Sequence, residues 1–159
     1  MVRLSKLTDY ALVVMSCMAR SSNSSRTSRD LSLELQLPLP TVSKLLKELL
    51  RSGLLVSQRG VNGGYSLSRE PQEISLAEII AALEGPIALT ECSTDTIGLC
   101  ALESCCAIKK NQQIISQVVR GVLDRLTLSD LIQPLQVTSI KDPRGNLLPT
   151  ITVTSGRTQ

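Results

Sequence analysis

LPTVSKLLKELLRSG, residues 39–53, decides the fold because it carries the signals of a complete amphipathic helix. Pro40 stands at the first helical position, where a residue without a backbone N–H costs nothing. Apolar side chains then recur at spacings of three and four until Gly53 ends the pattern; they are Val42, Leu45, Leu46, Leu49 and Leu50. We therefore predict a helix over residues 41–52 with one apolar face and one face of hydroxyl groups and cations.

A hairpin is predicted directly after this helix. The strand-like runs 54–59 and 65–68 are joined by GVNGG, in which glycine and asparagine permit a tight turn. Upstream, residues 5–19 and 29–35 have the apolar spacing of two further helices. Helix, short helix, longer helix and hairpin are the order of a winged helix-turn-helix, which binds duplex DNA.

The polar face of the longer helix and the tip of the wing supply the candidate DNA-binding residues. Thr41, Ser43 and Lys44 are expected to read base edges in the major groove, and Pro40 is expected to set how the helix enters the groove. Lys47 and Arg51 are expected to touch phosphates, and Arg59 to enter the minor groove or meet the backbone. Gly63 and Gly64 would let the wing approach the DNA closely. The alternative for each residue is a solvated, charged surface.

Two longer helices and a short cap helix are predicted after the wing. A capping box from Ser75 to Glu78 opens a helix that ends at Glu84. Residues 107–126 form a helix of roughly five turns with a wide aliphatic stripe, and a short cap helix follows to residue 132. A second copy of the chain would cover this stripe in a twofold homodimer, so we expect a pseudo-palindromic operator. The alternative is that the helix folds back on its own domain.

These patterns predict a mainly α fold: a winged helix-turn-helix with a two-stranded wing, plus a long C-terminal dimerisation helix. The expected divisions are a DNA-binding domain at 1–85, a cysteine-rich loop at 86–106, the dimerisation and cap helices at 107–132, and a tail at 133–159 that is a hairpin or disordered.

Charge and composition agree with contact to nucleic acid. Residues 1–69 hold ten Lys and Arg against four Asp and Glu, whereas residues 70–159 hold seven against ten. The chain has no histidine, the usual base for a nucleophilic cysteine, so we predict that it is not an enzyme. No apolar run is long enough for a membrane span and no leader opens the chain, so we expect a cytoplasmic protein without a membrane partner.

Four of the five cysteines lie close together: Cys92, Cys100, Cys105 and Cys106. In a cytoplasmic chain, metal or redox chemistry is expected before a stable disulfide. The spacing lacks the CxxC pairs of a zinc ribbon but suits an iron–sulfur cluster, which tolerates irregular spacing. The alternatives are a thiol–disulfide switch without a cluster, and inert thiols. Cys17, in the first helix, is predicted to be a buried small hydrophobic residue.

Several motifs together resemble the Rrf family of bacterial winged-helix regulators. They are MVRLSKLTDYAL at 1–12, LPLPTVSKLLKELLRSGLL at 37–55, RGVNGGYSLSR at 59–69, ISLAEIIAALEGP at 74–86, Glu91-Cys92, and CALESCC at 100–106. The resemblance runs to about residue 132 and is strongest to regulators of iron–sulfur cluster assembly operons. It implies a homodimeric DNA-binding regulator that holds an iron–sulfur cluster on Cys92, Cys100 and Cys106.

The fourth ligand is left open by this resemblance. The assembly-regulator branch has a histidine three residues after its last cysteine, where this chain has Lys109. The nitric-oxide-sensing branch uses an aspartate at the position of Asp9, so Asp9 of the partner subunit is one candidate. Cys105 is the other, although either residue could be incidental. Both 2Fe-2S and 4Fe-4S clusters remain allowed, and a chain that keeps the fold without a cluster is a further alternative.

Overall fold

The computed structural model describes residues 3–21, 25–60, 63–93, 105–141 and 143–153. Its first part consists of three helices and a hairpin in the predicted order: α1 (Lys6–Arg20), α2 (Ser28–Leu35), α3 (Leu39–Arg51), β1 (Leu55–Gln58) and β2 (Gly64–Leu67). The strands are antiparallel, with Leu55 opposite Leu67 and Gln58 opposite Gly64. The predicted mainly α fold with a two-stranded wing is confirmed.

Helix α3 begins two residues before the predicted range of 41–52 and ends one residue before its predicted end. The helix begins at Leu39, so Pro40 is its second residue and Pro38 is the cap. The Pro38 carbonyl accepts hydrogen bonds from the backbone N–H of Thr41 at 2.9 Å and of Val42 at 3.1 Å. Pro40 is still harmless there, because the first N–H groups of a helix have no partner within the helix.

Three helices begin with the same reciprocal cap, in which a hydroxyl and a carboxylate each accept a backbone N–H. These helices are α2, α4 (Leu76–Glu84) and α6 (Leu128–Leu131), and the capping pairs are Thr27 with Asp30, Ser75 with Glu78, and Thr127 with Asp130. The predicted capping box at Ser75 is therefore present, and the helix that it opens ends at Glu84 before Gly85, as predicted.

The head, defined here as α1–α4, the wing and α6, has one aliphatic core. Its fully buried side chains come from every helix of the head, and they include Val14, Met15, Leu31, Leu45, Leu46, Leu49, Ile79 and Leu128. Two backbone hydrogen bonds hold α6 in place: Leu128 N–H donates to the Ile74 carbonyl, and Leu76 N–H to the Leu126 carbonyl, each at 2.8 Å. The short helix α6, which is distant from the rest of the head in sequence, therefore belongs to its core.

The long helix α5 (Lys109–Arg125) divides its aliphatic stripe between two surroundings. Val119 and Leu123 are half-buried toward the head, whereas Ile115, Val118 and Val122 are exposed. The sequence predicted one broad face; the division arises because α5 packs beside α4, which covers only one edge of the stripe. The helix therefore packs on its own domain along one edge and leaves the other edge exposed, and its pairing with a second copy stays a prediction.

The tail forms a hairpin of β3 (Leu135–Lys141) and β4 (Leu147–Val153), with Leu135 opposite Val153. This decides between the two expectations for residues 135–153, whereas residues 154–159 lie outside the described residues. Gly145, with φ of 84°, permits the turn. Within the described part of the chain, no helix has the length and apolar character needed to cross a bilayer.

We predict that Leu128→Ala lowers the free energy of unfolding by about 2–5 kcal/mol, because it leaves a cavity in the core of the head. Denaturant unfolding of the full chain measures the change. Val137→Ala is the matched control, since Val137 is 73% exposed on the tail hairpin and should change stability by no more than about 0.5 kcal/mol. Equal effects of the two variants would contradict the placement of α6 in the core.

Candidate nucleic-acid interface and cysteine segment

The outer face of α3 is a cationic stripe opposite its buried face. Pro40, Lys44, Lys47 and Arg51 are exposed and follow one another at spacings of four, three and four, which places them on one side of the helix. Thr41 and Ser43 are half-buried on the two flanks of this stripe. All six residues that the sequence nominated on this helix therefore share one accessible surface.

The cations of this stripe are largely available to a ligand. Among the described residues, neither Lys44 nor Lys47 forms an ion pair. Arg51 Nη1 lies 3.0 Å from Glu48 Oε1, one turn earlier on the same helix. An exposed pair of this kind contributes little stability. Arg51 can therefore exchange Glu48 for a phosphate at little cost.

The wing presents Arg59, which is exposed immediately after β1. Gly63 and Gly64 permit a close approach, but to the protein's own backbone. A Cβ on Gly63 would lie 2.5 Å from the Gln58 carbonyl oxygen, and one on Gly64 would lie 2.8 Å from the Arg26 carbonyl oxygen. Packing of the wing itself therefore explains why both positions are glycine, since a larger residue would clash with the backbone. Their predicted approach to DNA stays a prediction.

The start of the cysteine-rich loop, residues 86–106 and called the cysteine segment below, lies beside α5. Cys92 lies in a short 3-10 turn, Glu91–Ser93, in which Ser93 N–H donates to the Thr90 carbonyl at 2.9 Å. Just before this turn, Leu89 N–H donates to Oγ of Ser116, a buried residue of α5, at 3.2 Å. The side chain of Cys92 and the whole of Cys100 lie outside the described residues. The start of the segment is therefore held against the middle of α5 by the hydrogen bond between Leu89 and Ser116.

The far end of the segment leads directly into α5. Cys105 is exposed and Cys106 is half-buried, and the Cys106 carbonyl accepts a hydrogen bond from Lys109 N–H at 3.3 Å. Lys109, which stands where the resembling branch has a histidine, is the first residue of the helix. Within the part of the chain that the structure describes, no three cysteines or carboxylates lie close enough together to hold a metal ion. Of the three predicted thiolate ligands, only Cys106 has a described side chain, so the ligand set stays a prediction.

Asp9, the other candidate ligand, is exposed in the first turn of α1. It lines an open cavity of about 430 Å³ together with Cys17, Glu34 and Leu131. Cys17 is buried, as predicted, and its thiol donates a hydrogen bond to Glu34 Oε1 at 3.1 Å. Burial, with a further contribution from Glu34, raises the pKa of Cys17 to about 11. This thiol therefore stays protonated at neutral pH and is a poor nucleophile or metal ligand.

Near Asp9, α1 forms hydrogen bonds with Glu84, which lies two residues before the cysteine segment. The Oγ1 of the fully buried Thr8 donates to Glu84 Oε1 at 2.5 Å, and Ser5 N–H donates to the same oxygen at 2.8 Å. These hydrogen bonds lower the pKa of Glu84, the last residue of α4, so the carboxylate is the stable form. Sequence reasoning missed this contact, because a glutamate at a helix C-terminus carries no recognisable signal.

Comparison with known proteins agrees with this geometry. Residues 4–134 match the Rrf2 family model, described as an iron-dependent transcriptional regulator. The HTH-type transcriptional regulator NsrR of Bacillus licheniformis is 30% identical over 132 residues, which cover 82% of this chain and 92% of that protein. The chain is also similar to the solved structure of CymR, the global cysteine regulator of B. subtilis, with 29% identity, a TM-score of 0.66, and coverage of 83% of this chain and 97% of CymR.

The IscR structure of T. potens is a third relative, with 26% identity, a TM-score of 0.63, and coverage of 82% of this chain and 86% of that one. The resemblance drawn from the sequence motifs is thereby confirmed at the level of the family, and the tail hairpin lies mainly beyond the matched region. The relatives are transcriptional regulators and not enzymes, in agreement with the prediction. The chain therefore belongs to the Rrf2 family of transcriptional regulators, whose winged helix binds DNA.

Proposed function

We propose that this chain is a homodimeric, sequence-specific regulator that senses iron–sulfur cluster status, or redox or nitrosative stress, and controls an iron–sulfur cluster assembly operon. One observation carries the proposal: the helices on either side of the cysteine segment, α4 and α5, are joined by hydrogen bonds to the DNA-binding head and to each other. Glu84, at the end of α4, binds α1, and the Leu126 carbonyl, just after α5, binds the start of α4. A change within the segment would therefore act on the head through α5.

The head would read DNA with the outer face of α3 in the major groove. Lys44 can donate to guanine O6 or N7, and the flanking hydroxyls of Thr41 and Ser43 can donate or accept. Lys47 and Arg51 would bind phosphates, which fix position without reading sequence. The exposed cations of α3 support this assignment, as does the absence of ion pairs at Lys44 and Lys47 within the described part of the chain.

A cluster would be held by Cys92, Cys100 and Cys106, with Asp9 of the partner subunit or Cys105 as the fourth ligand. The donor set suits it, since Cys105 and Cys106 are thiols and not halves of a disulfide, and the buried Cys17 does not compete. When bound, an iron–sulfur cluster would supply a redox- and nitric-oxide-sensitive cross-link within the segment. Asp9 is exposed and therefore accessible to another subunit. Two arrangements of the segment that differ in stability would change operator affinity.

The homodimer would form through the exposed edge of the α5 stripe. Ile115, Val118 and Val122 are exposed on one side of this helix, and Val118 is 62% exposed. A second copy presenting the same edge would bury them by twofold pairing. Two heads related in this way would place their recognition helices about one DNA turn apart, which matches a pseudo-palindromic operator.

A regulator that works by thiol–disulfide exchange, without a cluster, is the second candidate. It is favoured by the exposed Cys105 next to Cys106, which with Cys100 would supply the reacting thiols. Iron and acid-labile sulfide analysis of anaerobically purified protein separates the two candidates. Both elements in the protein support the cluster. Their absence, with DNA binding that responds to oxidation, supports thiol exchange. Their absence with no such response indicates a family member that keeps only DNA binding.

We predict that Lys44→Ala weakens binding to the cognate operator by about fivefold or more beyond its effect on random DNA, because a base contact contributes about 1–3 kcal/mol of discrimination. Lys47→Ala should weaken binding to both DNAs about equally and reduce the salt dependence by about one charge. Fluorescence anisotropy titrations at several salt concentrations measure both effects. Equal losses on both DNAs for Lys44→Ala would remove Lys44 from base reading.

We predict that Cys92→Ala, Cys100→Ala and Cys106→Ala each abolish the visible absorption of anaerobically reconstituted protein, because each removes a thiolate ligand. Cys17→Ala is the matched control and should keep the wild-type spectrum, since that thiol is buried in α1. Asp9→Ala and Cys105→Ala should be compared by the same spectrum, and only the true fourth ligand should change it. A colourless wild-type protein would contradict the cluster.

We predict that Val118→Glu raises the dimer dissociation constant by at least tenfold, because it buries an unpaired charge in the proposed interface. Sedimentation equilibrium of the full chain measures the change. Gln117→Glu introduces the same charge on a different face of α5, about 100° around the helix from Val118, and should leave the constant within about twofold of wild type. A wild-type chain that is monomeric at all concentrations tested would refute the pairing.

A further inference from the structure

Arg26 is a cation of the head whose guanidinium is committed within the protein. Its side chain is 18% exposed and forms an ion pair through Nη2 with Oε2 of Glu34, a residue of α2. The second terminal nitrogen, Nη1, donates to Ser21 Oγ at 2.9 Å, at the end of α1. The guanidinium therefore joins the ends of two helices, and little of it remains for a ligand.

The backbone of the same residue holds the wing. Arg26 N–H donates to the Tyr65 carbonyl at 2.9 Å, and Tyr65 N–H donates to the Arg26 carbonyl at 2.8 Å. Tyr65 lies in β2, so Arg26 acts as a one-residue third strand along the outer edge of the wing. The neighbouring Gly64 has no room for a Cβ against Ser25 Oγ and the Arg26 carbonyl. This contact is therefore close-packed.

Glu34 connects this arrangement to the core of the head. Its second carboxylate oxygen accepts the thiol hydrogen of Cys17, a buried residue of α1, at 3.1 Å. The carboxylate of Glu34, a residue of α2, thus binds both Cys17 of α1 and the guanidinium of Arg26. The position of Arg26, and through it the edge of the wing, is defined by two helices.

We propose that the Arg26–Glu34 pair is a positioning device that fixes the angle of the wing relative to α3, so that Arg26 supports DNA binding without touching DNA. A hairpin with strands of four residues is marginally stable alone and takes its orientation from the elements that hold it. The β1 end follows α3 directly, whereas the outer edge of β2 is held through Arg26. The effect on DNA rests on the proposed contact of the wing residue Arg59.

Glu34→Gln distinguishes positioning from simple charge. Removing a negative charge from a DNA-binding head should tighten binding if only electrostatics act. The positioning device requires the opposite: operator affinity should fall by about fivefold or more. Glu48→Gln is the matched control, because it removes the same charge from α3 and should leave affinity unchanged or raised. Unchanged or tighter binding by Glu34→Gln would overturn the proposal.

Amide hydrogen exchange measures the position of the wing without DNA. In Arg26→Gln and in Glu34→Gln, the Tyr65 amide should exchange at least tenfold faster than in wild type, while the amide of Leu46 in the core keeps its rate. Unfolding of the head would accelerate both amides, so the pair of probes separates loosening of the wing from loss of the fold. An unchanged rate at Tyr65 in both variants would overturn the proposal.

A double-mutant cycle links the device to DNA. Arg26→Gln should weaken operator binding about fivefold in the wild-type background and by less than about twofold in an Arg59→Gln background, because both residues act through the wing. Additive losses would overturn this route to DNA. If Arg59→Gln alone has no effect, the proposed contact of Arg59 fails, and the exchange rates still decide whether Arg26 fixes the wing. Arg120→Gln, on α5, controls for the lost positive charge.

Discussion

The burial of one face of α3 is the constraint on which the rest of the structure depends. Val42, Leu45, Leu46 and Leu49 are all fully buried, and each contributes about 1.5–3 kcal/mol relative to an exposed position. Turning the helix by one residue would bring cations into the core and expose part of this face. The aliphatic contacts therefore determine which side of α3 faces outward, and that side carries the exposed lysines.

Polar contacts then join the other elements to this core at defined points. The Glu84 carboxylate fixes the start of α1 to the end of α4, and the Leu76–Leu126 hydrogen bond fixes the end of α5 beside the start of α4. The cysteine segment lies between these points in the chain. The two helices that flank this region, α4 and α5, are therefore both joined to the packed part of the head.

The sequence predicted the elements whose signals are local. The caps at Ser75 and Thr127 are short-range patterns, and the end of α4 at Gly85 follows from the needs of a helix C-terminus. The polar face of α3 was recognisable because its apolar partner residues have strict helical spacing. Local chemistry also explains why Cys17 could be predicted as buried. These features do not depend on what lies elsewhere in the chain.

Features that depend on distant partners were not predictable. The α5 stripe reads as one face in the sequence, but α4 covers only one edge of it. Arg26 looks like another surface cation, and its pairing with Glu34 exists only because α1 and α2 bring the two side chains together. Gly64 suggested an approach to DNA, whereas the atoms that leave no room for a Cβ there are Ser25 Oγ and the Arg26 backbone. Each difference has the same origin: the spacing of residues predicts which side chains share a surface, but it does not predict which distant residues contact that surface.

Dimethyl sulfate footprinting of an operator selected from random-sequence DNA tests most directly whether paired α3 helices lie in the major groove. The account predicts that the bound protein protects guanine N7 atoms in two patches whose centres lie about 10 base pairs, or a multiple of that, apart. Bound protein that leaves every guanine N7 reactive, or that protects a single patch, would contradict it.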